Sequence, residues 1–208
     1  MALSRFTAAV TTQRGIATAR TLLRALHPVT ADASAHAPAE GHADADGAAL
    51  PSGPALTAWV TGAAAFAAPA PDDPTVAMVV CAAARALGDD CLPAVAAGLA
   101  AAAVVESGLN GVTGPGWSVP IVAAGVGAGL AAGVMLGLPE DQLRNALGVC
   151  ATQAAGLSAA AGTDAGPLQA GKAAFNAVEA ALLARAGFTS SAEPLDGRRG
   201  LFALFRAD

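Results

Sequence analysis

A chain of 208 residues, 54% apolar and only 13% charged, is long enough to bury a sizeable core and too apolar to be disordered throughout. Gly (24 residues) and Ala dominate while aromatics are 4% and Tyr is absent, which excludes the β-branched and aromatic composition of a β-sandwich and favours closely packed helices. A formal charge of −5 and a single lysine, Lys172, exclude the dense basic footprint that nucleic acid requires.

In chain order, residues 3–26 read as a helix with Phe6, Val10, Ile16, Leu22, Leu23 and Leu26 on its apolar side, ended by His27-Pro28. Arg5, Arg14, Arg20 and Arg24 interrupt any apolar core there, which argues against a signal peptide. Residues 28–53 are Ala, Asp, Pro and Gly without a period and read as a flexible linker. His36, His42, Asp44 and Asp46 fall in it, but nothing fixes their geometry, so no metal site is expected. Helices are expected over Pro54–Ala68, Thr75–Leu87 and Leu92–Ser107, with three prolines between Pro69 and Pro74 breaking the first from the second. Leu92–Val105 is apolar on every side, the pattern of a buried central helix. Three more helices follow: Val119–Met135, one beginning at Pro139, and one from near Leu168 to Gly187. The loop Gly162-Thr163-Asp164-Ala165-Gly166-Pro167 between the last two is too rich in breakers to be helical. The tail carries an apolar Leu201-Phe202-Leu204-Phe205 cluster, free to dock on the domain or on a second subunit. The expected fold is all-α, a bundle of about seven helices, with an N-terminal helix (1–27), a linker (28–53) and one helical domain (54–208).

No charge occurs from Ser107 to Pro139, a run long enough to span a bilayer, but Asn110, Gly114, Pro115, Gly116 and Pro120 break it, so no membrane association is expected. Gly125, Gly129, Gly133 and Gly137 recur every fourth residue as a ridge that lets a neighbouring helix approach closely. Cys81, Cys91 and Cys150 form no C-x-x-C pair and sit in apolar surroundings, which points to buried free thiols and a reducing, cytoplasmic setting.

The runs LGLPEDQLRNALGVCATQAAGL, PLQAGKAAFNAV with LLARAGFT, and LDGRRGLFALF keep the order and spacing of the helical domain of the MmgE/PrpD family, which this chain resembles from about Leu50 to Phe205. The resemblance implies that helical fold, dimerisation through it, and lyase or isomerase chemistry of the kind found in 2-methylcitrate dehydratase, cis-aconitate decarboxylase and iminodisuccinate epimerase. Family members continue into a C-terminal α+β domain that helps enclose the active site, and this chain is expected to lack it. The family's His-Ala-Leu-Asp-x-Asp-Asp run corresponds to Phe66 through Asp72, where only the last acid is kept. Its Gly-(Phe/Trp)-His-Pro-Thr becomes Gly116-Trp117-Ser118-Val119-Pro120, and its Lys-Pro-Leu-His-Ala-Gly becomes Gly166-Pro167-Leu168-Gln169-Ala170-Gly171. A citrate-like polyanion needs cations for its carboxylates and titratable groups for its protons, and Gly, Ser and Gln supply neither. Tricarboxylate chemistry is therefore not expected.

What remains is a rim of polar residues. Asp72 and Asp73 are candidate bases, Gln169 and Lys172 candidate hydrogen-bond donors, and Thr75, Trp117, Ser118, Thr163, Asp164 and Asn176 candidate substrate contacts. Lys172, Asn176 and Glu179 share one helix face, which a solvated stripe would explain equally well. Two functions stay open. One is a cofactor-independent enzyme acting on a largely apolar small molecule, of a kind that would suit secondary-metabolite biosynthesis. The other is a non-catalytic subunit that complements a relative. Self-association, as a homodimer or with a relative, is expected in both.

Overall fold

Prolines and glycines set the punctuation that the bundle follows. The computed structural model describes residues 5, 8, 9, 13–15, 17, 18, 21, 53–67, 75–111 and 114–206. From Pro54 on, seven α-helices run in order: α1 (Pro54–Ala67), α2 (Thr75–Arg85), α3 (Leu92–Leu109), α4 (Val119–Met135), α5 (Glu140–Thr152), α6 (Ala165–Arg185) and α7 (Leu201–Phe205), with a 3-10 turn at Ser158–Ala160. No β-strand occurs among the described residues; one isolated antiparallel bridge joins Trp117 to Leu157. The expected all-α class and helical bundle are what is seen. Residues 5, 8, 9, 13–15, 17, 18 and 21 have helical backbone, while the rest of the expected N-terminal helix and the linker, with His36, His42, Asp44 and Asp46, lie outside the described residues.

Prolines open several helices where a missing N–H needs no partner: Pro54 in α1, Pro93 in α3 and Pro120 in α4. Glu140 and Asp141 occupy the first turn of α5, facing its positive dipole end. Glu140 also accepts a hydrogen bond from Arg144 one turn on at 3.1 Å. Gly137 (φ 64°) and Gly187 (φ 92°) end α4 and α6 in the left-handed region that glycine tolerates best.

The breaker-rich loop is shorter than its composition suggests. Ala165, Gly166 and Pro167 form the first turn of α6 rather than a loop, because a proline in a first turn loses no intrahelical hydrogen bond.

The centre of the bundle is α4, which packs against α2, α3, α5 and α6, while α6 packs in turn on α1, α2, α4 and α5. Small side chains make this closeness possible. A Cβ on Gly129 would collide with the Cys150 sulfur, and one on Gly133 would collide with Leu143, so these members of the glycine ridge are where α5 presses on α4. The expected buried central helix is therefore α4 and not α3. Ala94, Val95, Gly98, Ala102, Val105 and Leu109 of α3 are buried, but Leu92 and Val104 are each 65% exposed. A hydropathy pattern that is apolar all round cannot say which face finds a neighbour, and α3 is covered only where it meets α4, α2 and the C-terminal segment around Phe202. Among the described residues α3 is the one helix long and apolar enough to cross a membrane by length and composition, with mean hydropathy 1.7 and 33% of it buried.

The tail docks on its own domain. Leu201, Phe202 and Phe205 are buried, Phe202 lies against Gly108 of α3, and the Leu201 and Phe202 amides donate to the carbonyls of Pro194 and Leu195 at 2.9 and 3.1 Å. All three cysteines are free and buried. Burial pushes the Cys81 and Cys150 thiols up to about 12, so neither forms thiolate at neutral pH. A thiol reagent such as DTNB is expected to find no fast-reacting cysteine in the native protein and all three after denaturation. One thiol titrating within seconds under native conditions would contradict this packing.

Candidate active site

A pocket of about 90 Å³ opens between α4, α5 and α6. Its walls are Ile121, Val122 and Gly125 from α4, Cys150 and Gln153 with Ala154 and Ala155 from the end of α5, and Gln169, Lys172, Ala173 and Asn176 from α6. Glycine at 125 and alanine at 173 keep the two long helices from filling the gap; the nearest atom to a Cβ built on Gly125 is the Ala173 Cβ at 3.8 Å.

Lys172 dominates the electrostatics. Its ammonium nitrogen lies 3.7 Å from the centre of the Phe175 ring and 5.0 Å from that of Trp59, and the two rings meet edge to face at 5.5 Å. Such contacts favour a cation by about 0.5–2 kcal/mol each. No carboxylate lies within ion-pair distance of Lys172 among the described residues. Burial lowers its pKa below the ordinary 10.5, and the Glu179 carboxylate pulls the other way. A lysine with a lowered folded pKa takes up its proton more readily in the unfolded chain, so the native state is penalised at low pH and relieved as pH rises through the folded pKa toward 10.5. Wild type should therefore gain stability relative to Lys172→Met as unfolding is measured at increasing alkaline pH; a constant difference would contradict a depressed pKa.

Around the lysine the polar groups are tied unevenly. Gln153 Nε2 donates to Glu179 at 3.3 Å, while Gln153 Oε1 is buried with no partner. Gln169 is engaged on both sides of its amide: Oε1 accepts from the Leu157 N–H at 3.0 Å and Nε2 donates to the Leu157 carbonyl at 3.4 Å. This clamp holds residues 153–160 over the pocket edge and joins the Trp117 bridge, where Ser118 N–H donates to the Gly156 carbonyl at 3.1 Å and Ser158 N–H to that of Gly116 at 2.9 Å.

The candidate residues separate into groups. Gln169, Lys172 and Asn176 line the one pocket. Trp117 is 42% exposed, stacks edge to face on Phe205 at 4.6 Å, and reaches the pocket only through the Leu157 clamp; Ser118 sits at the N-cap of α4 without a side-chain capping bond. Thr163 and Asp164 are exposed at the start of α6. Thr163 Oγ1 donates to the Ala160 carbonyl at 2.8 Å and accepts from the Ala165 N–H at 3.3 Å. Asp164 borders a different groove, of about 510 Å³, with Arg14, Thr18 and Leu168. Thr75 begins α2 and lies outside the pocket wall. Asp72 and Asp73 lie outside the described residues. Missing from the candidates were Trp59, Cys150 and Gln153. No motif surrounds Trp59, and Gln153 falls inside the run LGLPEDQLRNALGVCATQAAGL without being singled out by it; Gln153 reaches the pocket because α5 ends there, and Trp59 reaches Lys172 because Gly171 lets α1 press directly on α6.

Fold and site together define an all-α bundle in which three neighbouring helices frame a mostly apolar pocket bordered by Lys172, Asn176 and two glutamines. The chain belongs to the MmgE/PrpD family: the model of the MmgE/PrpD N-terminal domain matches residues 17–208. No curated protein matches it.

Proposed function

We propose that the chain is a cofactor-independent enzyme of lyase or isomerase type, acting on a small and largely apolar molecule bound between α4, α5 and α6. The observation carrying this reading is that Gln153, Gln169, Lys172 and Asn176 line one cavity whose remaining wall, Cys150 apart, is glycine and aliphatic side chains. A pocket of that kind, apolar with a few convergent polar groups, is the usual form of a small-molecule site. Membership of the MmgE/PrpD family supports the reaction class, and the residues at Ser118, Gly166 and Gln169 argue against a tricarboxylate. Positioning alone lowers a barrier by roughly 7–11 kcal/mol, so a site with one cation can still catalyse. In this scheme Lys172 donates to a developing oxyanion, Asn176 orients the substrate, and Asp72 or Asp73 serves as base. Gln169 would contribute a donor only on releasing Leu157.

Isomerases and lyases of this type move carbon-bound protons. Incubating the protein in D₂O with a panel of small ketones, aldehydes and enones, and following deuterium uptake by NMR, tests the reading and requires no product to be identified. Enzyme-dependent exchange in at least one compound is expected; none across the panel would remove the proposal.

A second reading is a non-catalytic subunit, favoured by the pocket's size, well under the roughly 300 Å³ of typical ligand sites, and by exposed Trp117, Leu157 and Leu204 nearby. Recovery of a stoichiometric larger relative with the native protein would favour it. In either case we expect a cytoplasmic protein that self-associates, the exposed apolar side of α3 around Leu92, Ala96, Ala100 and Val104 supporting a homodimer.

A further inference from the structure

Residues 155–164 join α5 to α6 and are held unlike the rest of the bundle. Their sequence is mostly Ala, Gly and Ser, which offers little apolar surface to bury. Ala160 is the one buried side chain among them, while Leu157, their largest residue, is 58% exposed. Polar ties take the place of a core. The Leu157 N–H donates to Gln169 Oε1 at 3.0 Å, and Gln169 Nε2 donates to the Leu157 carbonyl at 3.4 Å. The Ser118 N–H donates to the Gly156 carbonyl at 3.1 Å, and the Ser158 N–H to that of Gly116 at 2.9 Å. Gly116 and Ser118 belong to the loop before α4, where residues 114–117 are themselves exposed, so of these bonds only the Gln169 pair comes from within a bundle helix. A segment with few buried apolar contacts and solvent-facing backbone bonds opens at far lower cost than the core.

The segment also adjoins the pocket. Ala155 and Gln169 stand in its wall beside Gln153, Ala154 and Cys150, and the volume of about 90 Å³ is small against the roughly 300 Å³ of typical ligand sites. We propose that residues 155–164 form a strap over the α4–α5–α6 pocket, latched by the Gln169 amide on the Leu157 backbone, and that its release is the entrance to the pocket. The purpose of the strap rests on the reading of the pocket as a small-molecule site. Its opening is read without any ligand, so a failed deuterium-exchange panel and a failed strap are separate results.

Gln169→Leu removes the latch and keeps the bulk. The Leu157 amide loses its acceptor in this variant whatever the segment does, so the diagnostic amides are Ser118 and Ser158, whose own acceptors are untouched. Native-state hydrogen exchange on the full chain should show both accelerated about tenfold or more together with Leu157, while amides of α4 from Ala123 to Ala132 keep their protection. Cys150, 5% exposed in the pocket wall, reports the entrance. Its alkylation by iodoacetamide, followed by mass spectrometry, should rise about tenfold, with the fully buried Cys81 and Cys91 unchanged. Gly156→Ala should act alike without touching Gln169, because its Cβ would stand 3.1 Å from the Ile121 Cβ and the Ser118 carbonyl oxygen. If neither variant folds, exchange of the wild type in low urea decides: Ser118, Leu157 and Ser158 should open in one common step below that of α4. Acceleration confined to Leu157, or three unrelated openings in the wild type, would overturn the strap. An unchanged Cys150 would overturn the entrance, and an equal rise in all three cysteines would mean global loosening and overturn both.

Discussion

Gly127→Ala is expected to destabilise the bundle by about 2–3 kcal/mol, whereas Gly125→Ala, two residues earlier on α4, stabilises it by up to about 1 kcal/mol. Alanine is the better helix former at both positions, so local propensity predicts a gain twice. Packing reverses one of them. A Cβ on Gly127 would collide with the Gly98 carbonyl oxygen of α3 and stand 2.7 Å from the Ala102 Cβ. The relation is mutual, because a Cβ on Gly98 would stand 2.7 Å from the Gly127 carbonyl oxygen and 2.9 Å from the Ala131 Cβ. Those obstacles are backbone and short side chains, so relief requires moving α3 away from α4 along its buried side. At Gly125 the nearest atom is 3.8 Å away, an ordinary contact. Urea unfolding of the two variants should give midpoints on opposite sides of the wild type. Equal shifts of the same sign would mean that the α3–α4 contact is looser than these distances imply.

Lys172→Met is expected to reduce catalysed deuterium exchange by at least about a hundredfold while leaving the helical content and unfolding midpoint close to wild type. Lys172 is the single lysine of the chain and the one cation in the pocket wall. Methionine keeps an unbranched stem and a sulfur that packs well on aromatic rings, so Trp59 and Phe175 retain their neighbour. What is lost is the donor that the proposed mechanism assigns to the substrate oxygen. Lys172→Arg should recover part of the rate if charge and donation are what matter, and Asn176→Ala should raise KM more than it lowers kcat. Wild-type exchange in Lys172→Met would remove the lysine from the mechanism.

Much of the fold was legible because its punctuation is covalent. Pro120 and Gly137 bracket α4, and a proline followed by two acids marks the start of α5. Burial was less legible. The sequences of α3 and α4 are both apolar on every side, and only the tertiary arrangement decides that α4 is enclosed by four helices while α3 leaves Leu92 and Val104 in the open. Gly166-Pro167 reads as a break and serves as a first turn, since the same missing N–H suits both. Within the site, Gln169, Lys172 and Asn176 were visible from helical spacing and the family motif. Gln153 and Trp59 were not, because each acts through a contact between helices that are distant in sequence: Gln153 with Glu179, and Trp59 with Lys172.

If the α4–α5–α6 pocket is where this chain meets a small molecule, the bound compound must leave its footprint there. A backbone amide shift map, taken with whichever panel compound exchanges deuterium fastest, reads that footprint. Shifts centred on Ile121–Gly125, Cys150–Ala155 and Gln169–Asn176, and lost in Lys172→Met, are the expected result. Shifts centred instead on the groove at Arg14, Asp164 and Leu168, or on the tail from Ser191 to Leu204, would contradict it.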